Sequence, residues 1–523
     1  MTVISVDSPA DTPSEPGGSG GAPITRDALT VLQPGFVGTS APAWLLRQLA
    51  EGLGSVALFA RNIESPGQLA ALTAQLREVR PDVLVAADEE GGDVTRLEAR
   101  GGSSFPGNLA LGAVDDLKLT RAVAAELGRR LAVCGVNLNW APSADVNSDP
   151  GNPVIGVRSF GADPELVARN TAAYVEGLQS AGVAACVKHF PGHGDTATDS
   201  HHALPRIDVD PDTLRSRELV PFRAALAAGS KVVMSAHILV PSLDPELPAT
   251  LSPAVLTGLL RAPSSEGGLG YEGLIVTDGI EMQAIAATYG IERGTVMALA
   301  AGADAICVGG GLADEQTVLT LRDAIVAAVR DGSLPAERLA DAAGRVRALA
   351  AWTAAQAGAG VAAALAQGAD IGLEAARRAL RITRADRFTP LDQPPFVAAF
   401  TPMANIAVGE GTPWGVAAEL TRLLPGTRTA TYRAADAEGD LAGFVARVLA
   451  AAGPSRLVVV VRDAHRHPWM AVALAAVVAE RPGTIVVEMG VPQSPPTGAL
   501  HIATHGAARV CGEAAAEAIV SAR

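Results

Sequence analysis

The densest chemistry in this 523-residue chain lies in one run, Lys188-His189-Phe190-Pro191-Gly192-His193-Gly194-Asp195-Thr196-Ala197-Thr198-Asp199-Ser200-His201. Its glycines allow sharp turns or a close approach of backbone to a ligand. In an extended segment Asp199 and His201 point the same way. An imidazole beside a carboxylate is oriented by it and has its pKa raised, which suits proton donation near neutral pH. Three other readings compete. The histidine spacing matches neither a structural nor a catalytic zinc pattern. Ser200 lacks the Gly-x-Ser-x-Gly elbow of a serine nucleophile. Taken alone, Asp-x-His fits an ordinary loop hydrogen bond as well as a catalytic dyad.

Further polar residues follow short apolar runs: Asp88-Glu89-Glu90-Gly91-Gly92, Asp145, Ala236-His237 and Asp278. The runs are Thr30–Gly38, Ser55–Phe59, Asp82–Ala87, Val136–Trp140, Val183–Lys188, Lys231–Ser235, Gly273–Thr277 and Asp304–Val308. Helix-like stretches separate them: Pro66–Arg77, Leu117–Ala132, Pro164–Ser180, Asp212–Ala228 and Glu281–Ala301. Strands alternating with helices imply βαβ units and a parallel sheet. Eight units in a row predict a closed (β/α)8 TIM barrel, whose strands all end on one face, where active sites sit. Residues far apart in sequence then converge on one pocket.

The expected organisation is a disordered polar tail over 1–25, the barrel over 26–353, an Ala/Gly-rich linker over 354–372 and a smaller doubly wound α/β/α sandwich over 373–523. The second domain is read from strands at Phe396–Phe400, Thr427–Tyr432, Leu457–Val461 and Thr484–Val487, with helices near Gly415–Leu424 and Met470–Glu480. Its polar loop Arg462-Asp463-Ala464-His465-Arg466-His467 reads as solvated or interdomain, with a contribution to the barrel's pocket as the lesser alternative.

A net charge of −14 argues against nucleic acid as a partner. Composition is globular, with 48% apolar and 18% charged residues. The chain shows no signal peptide and no membrane span, and its four cysteines have no paired spacing; a cytoplasmic protein with buried thiols is expected.

Lys188–His201 resembles the signature of family 3 glycoside hydrolases, in the β-N-acetylglucosaminidase (β-N-acetylhexosaminidase) branch of the two-domain bacterial type. Leu58-Phe59-Ala60-Arg61-Asn62-Ile63, Asp88-Glu89-Glu90-Gly91-Gly92, Asn139-Trp140-Ala141-Pro142 with Asp145, and Asn152-Pro153-Val154-Ile155-Gly156 are similar to other motifs of that branch. So are Arg158-Ser159-Phe160-Gly161, Met234-Ser235-Ala236-His237 and Thr277-Asp278-Gly279-Ile280-Glu281-Met282.

The resemblance implies Asp278 as nucleophile, His201 as acid/base and Asp199 as its partner. It implies Asp88, Arg96, Arg158, Lys188 and His189 as holders of the terminal sugar, with Met234 lining the same pocket. The expected reaction is exo-acting, retaining removal of β-linked N-acetylhexosamine from a small glycoside or amino-sugar oligosaccharide, in cell-wall recycling or amino-sugar salvage. Lys188 and Arg158 are expected to keep Asp278 ionised. No metal, nucleotide or redox cofactor is implied, and oligomeric state stays open. The alternatives are a phosphorylase, in which phosphate replaces water as acceptor, a broader β-glucosidase, and an idle sugar-binding protein. Glu89 stands where the family commonly has Gln, and Asp93 where it often has Arg. Two added carboxyls at the pocket mouth would disfavour anionic, muramyl-type aglycones.

Overall fold

The computed structural model describes residues 21–196, 204–356, 370–385, 388–402 and 412–521. Eight short strands form the first sheet system: β1 Leu32–Pro34, β2 Ser55–Leu58, β3 Leu84–Ala87, β4 Leu138–Asn139, β5 Ala184–Phe190, β6 Val232–Ser235, β7 Leu274–Thr277 and β8 Ile306–Val308. Strands β2 to β7 pair in sequence order, all parallel, and β1 pairs with β8. A parallel bridge between Val276 and Ala305 links β7 to β8. This is the TIM barrel expected from the alternation.

Side-chain alternation along these strands separates two cores. Ala57, Leu84, Ala86, Leu138, Trp140, Ala184, Cys186, Val232, Met234, Leu274, Val276, Ala305 and Cys307 form one buried cluster, the barrel interior. The intervening residues, among them Val56, Val85, Val187, Val233 and Ile275, belong to the larger cluster under the surrounding helices. Val346, Leu349 and Ala350 of the helix Ala336–Gln356 join the interior cluster beside the strands' starting ends, so that end of the barrel is filled. The opposite end is left to function.

The helices start where the chain supplies caps. Ser65 accepts from the Gln68 amide ahead of Pro66, Asp116 from Lys118 and Leu119, Asp163 from Leu166 ahead of Pro164, and Asp314 from Thr317. The first helix, Gly21–Thr30, runs into the segment assigned to the tail and to the first strand, because Ala28 and Leu29 pack into the core as helical residues. The stretch expected as a single helix over Glu281–Ala301 is two, Gln283–Tyr289 and Ile291–Ala301. They are broken at Gly290, whose φ of +73° a helix cannot contain.

The second sheet has strand order β11-β10-β12-β13-β14-β9. Its strands are β9 Arg381–Arg384, β10 Phe396–Phe400, β11 Arg428–Tyr432, β12 Leu457–Val461, β13 Ile485–Glu488 and β14 Leu500–Ala503. All pairs are parallel except β14 with β9. Alternate residues of β10, β12 and β13 enter separate clusters with helices on the two faces, which makes an α/β/α sandwich. Among the described residues no helix is long and apolar enough to cross a membrane, and all four cysteines are buried and unpaired.

Candidate active site

The interior alternation carries the site with it. Leu84 and Ala86 face inward, and the next position in phase is Asp88; Ala184 and Cys186 lead to Lys188, and Leu274 and Val276 lead to Asp278. Three charged side chains therefore continue three inward-facing rows, Asp88 and Asp278 just past the ends of β3 and β7 and Lys188 near the end of β5. All three act electrostatically on the buried Cys186 thiol beneath them. Met234, on β6, lies in the same interior layer.

Around this floor the predicted residues join one polar network. Lys188 Nζ lies 2.6 Å from Asp88 Oδ1 and 2.7 Å from Glu90 Oε1, with the lysine 2% and Glu90 3% exposed. Arg158 donates to the same Glu90 carboxylate at 2.7 Å and 3.0 Å. Arg96 approaches the other oxygen of Asp88 at 3.6 Å. His189 lies 3.4 Å from Arg158 through Nε2, while its Nδ1 is 2.7 Å from Asp145 Oδ2. His189 is out of phase with the inward row, and the β5–β6 register shifts between Val187 and Phe190. Such irregularities re-aim side chains at barrel rims.

Charge compensation accounts for the titration of these groups. Burial alone would raise the Glu90 carboxyl, but Arg158 and Lys188 outweigh it and hold it well below the usual carboxylate range. Lys188, which burial would lower, is raised by Asp88 and Glu90, and Arg158 is raised by Glu90 against the same burial. Asp145, fully buried, is held low against burial by His189 and by the backbone N–H of His193. Burial and His189 together lower the His193 imidazole to about 4, so it is neutral at physiological pH. The cations expected to act on Asp278 are thus first engaged by Asp88 and Glu90.

Asp278 directly follows β7, with its amide bonded to Ser235 O at 3.2 Å, and its Oδ1 accepts from Gly279 N at 2.8 Å. His237 lies just past the end of β6. It is wholly buried and bridges Thr250 and the Gly279 carbonyl, each at 2.9 Å, so it braces the turn that carries Asp278. Asn152 ties two motifs together by donating to His193 O and Gly194 O and accepting from Val154 N and Ile155 N. Asp195, midway along the same run, pairs with Arg217. Asp199 and His201, expected as the acid/base pair, lie outside the described residues.

Two residues missing from the expected site join it: Glu90, shared by Lys188 and Arg158, and Asp145, which holds His189. Both stand inside quoted motifs, and the signal was their position just after β3 and β4. Two departures from the family pattern need correcting, because neither added carboxyl is at the pocket mouth. Glu89 turns behind its own loop and accepts from the amides of Arg96 and Leu97, while Asn139 grips its backbone from both sides. Asp93 is buried against the second domain, paired with Arg462 and accepting from Ala507 N. The loop carrying Arg462 is accordingly interdomain, and His465 reaches the Pro150 carbonyl at 2.8 Å.

Known proteins resemble this chain over much of its length. The pattern of the glycosyl hydrolase family 3 N terminal domain matches residues 41–349. A beta-hexosaminidase of Chromobacterium violaceum is 37% identical over 305 residues, 57% of this chain and 81% of that one. Beta-hexosaminidase A of Pseudoalteromonas piscicida is 38% identical over 274 residues, 48% of this chain, and the match spans 45% of that longer protein. A solved family 3 beta-N-acetylglucosaminidase from a Paenibacillus species superposes with a TM-score of 0.82 at 35% identity, covering 95% of this chain and 96% of that one. With the family pattern spanning more than half of its length, this chain belongs to family 3 of the glycosyl hydrolases.

Proposed function

We propose that the chain is an exo-acting, retaining β-N-acetylhexosaminidase that removes terminal β-linked N-acetylglucosamine from small glycosides. The observation that carries this reading is the convergence of Asp88, Lys188 and Asp278 at the carboxyl ends of β3, β5 and β7, floored by Cys186. In this account Asp278 attacks the anomeric carbon while His201, oriented by Asp199, protonates the glycosidic oxygen. Water deprotonated by the same imidazole then opens the glycosyl-enzyme and frees Asp278. Asp88, Arg96, Arg158, Lys188 and His189 hold the sugar hydroxyls, and a sugar that leaves these buried groups unpaired is rejected. The names of the relatives, beta-hexosaminidase and beta-N-acetylglucosaminidase, support N-acetylhexosamine as the sugar, and cell-wall recycling or amino-sugar salvage is the setting proposed for it.

Water is the acceptor in this reading, because among the described residues the site offers no surplus positive charge for phosphate. Lys188, Arg158 and Arg96 face Asp88, Glu90, Asp145 and Asp278. Proton NMR of the first turnover of p-nitrophenyl N-acetyl-β-glucosaminide in phosphate buffer tests both points. Free β-anomeric N-acetylglucosamine is expected. An α-anomer as first product overturns retention, and a sugar 1-phosphate overturns water.

A further inference from the structure

The loop after β3, residues 88–107, carries Asp88, Glu90 and Arg96 and lies between two bodies. On the barrel side Asn139 and the Glu89 carboxylate fix its backbone. On the other side it meets the second domain. Asp93, its side chain 2% exposed, pairs with Arg462 and accepts from Ala507 N at 2.7 Å. The Val510 amide donates to Ser103 O at 3.3 Å. Gly102, at φ +79°, backs onto Arg509, and Gly372 backs onto the Ser104 carbonyl; a β-carbon would crowd its neighbour at either position. Trp414 faces the Arg462 guanidinium at 5.9 Å.

A carboxylate buried at this depth costs several kcal/mol unless it is compensated. Its compensating cation and amide both come from the second domain. Glu90 also acts electrostatically on Asp93, so the buried charges of the interface and of the site are neighbours. We propose that the second domain is a clamp on the sugar-holding loop, with Asp93 and Arg462 as positioning residues that set where Asp88, Glu90 and Arg96 stand in the pocket. The proposal rests on the reading of those groups as sugar-binding. It makes the second domain part of the specificity machinery although its described clamp residues touch the loop and not the site groups.

The test compares wild type with Arg462→Ala, Asp93→Asn and the exchanged pair Asp93→Arg with Arg462→Asp, in the full chain. Steady-state kinetics on p-nitrophenyl N-acetyl-β-glucosaminide should show KM raised roughly tenfold or more in each single variant, with kcat much less changed, since small misplacements of binding groups cost this much or more. The exchanged pair should recover part of the loss. Hydrogen–deuterium exchange of residues 88–107 should rise in Arg462→Ala while the β5 and β7 amides stay protected. This readout needs no turnover, so it separates failure of the clamp from failure of the substrate assignment. Unchanged KM with unchanged exchange in the loop would overturn the proposal. So would global unfolding of Asp93→Asn, which keeps an acceptor for Ala507, because the contact would then be scaffold only.

Discussion

Glu90→Gln is the substitution whose consequences follow most directly from the geometry. One carboxylate oxygen is shared by Lys188 and Arg158 at 2.7 Å each, in a nearly solvent-free position. At an effective dielectric of 20 each pair attracts by about 6 kcal/mol gross, most of it offset by the desolvation of three charges. Removing one partner of a buried ion pair costs about 3–5 kcal/mol. The amide keeps the shape and one acceptor, so the lower end, about 3 kcal/mol, is expected. For a cooperative unit the size of the barrel that is a Tm lower by about 5 °C. The catalytic effect is separate. With Glu90 neutral, Lys188 and Arg158 lose a charge-assisted bond of about 2 kcal/mol that aims them, and kcat/KM should fall roughly 30-fold. Calorimetry and p-nitrophenyl N-acetyl-β-glucosaminide kinetics measure the two effects. The folded carboxyl titrates below its unfolded value near about 4.3. Its stabilisation is therefore complete above that value and lost progressively as pH falls toward the folded one, so the Tm gap between wild type and Glu90→Gln should be widest above about pH 5 and narrow steadily as pH falls below about 4. A variant with wild-type Tm and wild-type kcat/KM would refute the claim that this carboxylate holds the two cations.

The remaining predictions concern groups that stand close to the site. Burial raises the Glu89 carboxyl to about 7, so its contribution to stability is complete below the unfolded value near about 4.3 and is lost as pH rises through 7. Glu89→Gln should therefore match wild type near pH 4 and be more stable by about 1–3 kcal/mol at pH 8; equal thermal curves at pH 8 would contradict this. Asp145→Asn replaces the acceptor that fixes the His189 ring, and roughly a tenfold or greater loss of kcat/KM is expected from a misoriented imidazole. Unchanged kinetics would mean that His189 needs no orienting partner.

The barrel was readable because its strands are short apolar runs buried on both faces, each followed by a polar residue where the chain leaves the sheet. The same phase that separates Val85 from Ala86 also turns Asp88, Lys188 and Asp278 inward, so the floor of the site was legible from alternation. What happens past the strand ends was less so. Whether Glu89 or Glu90 faces the pocket depends on how the loop turns, and Asn139, a residue far away in sequence, decides that. Asp93 looked like a pocket-mouth charge because its partner, Arg462, lies 369 positions away. In the second domain Arg381–Arg384 went unread as a strand. All four of its residues are exposed, so it carried no burial pattern, and it pairs on one side only, with Leu500–Ala503, a fully buried strand whose apolar run is interrupted by His501 and which also went unread. The helix break at Gly290 was hidden for the opposite reason, since apolar residues continue through it in helical spacing.

The most direct test of the account compares wild type with Asp278→Ala on the p-nitrophenyl β-glycosides of N-acetylglucosamine and glucose. Turnover of the N-acetyl substrate well above that of the glucoside is expected, with loss of that turnover in Asp278→Ala while the fold and Tm are preserved. Turnover of the N-acetyl substrate that survives Asp278→Ala would remove the nucleophile from its place. A wild type that cleaves neither glycoside would contradict the proposed activity itself.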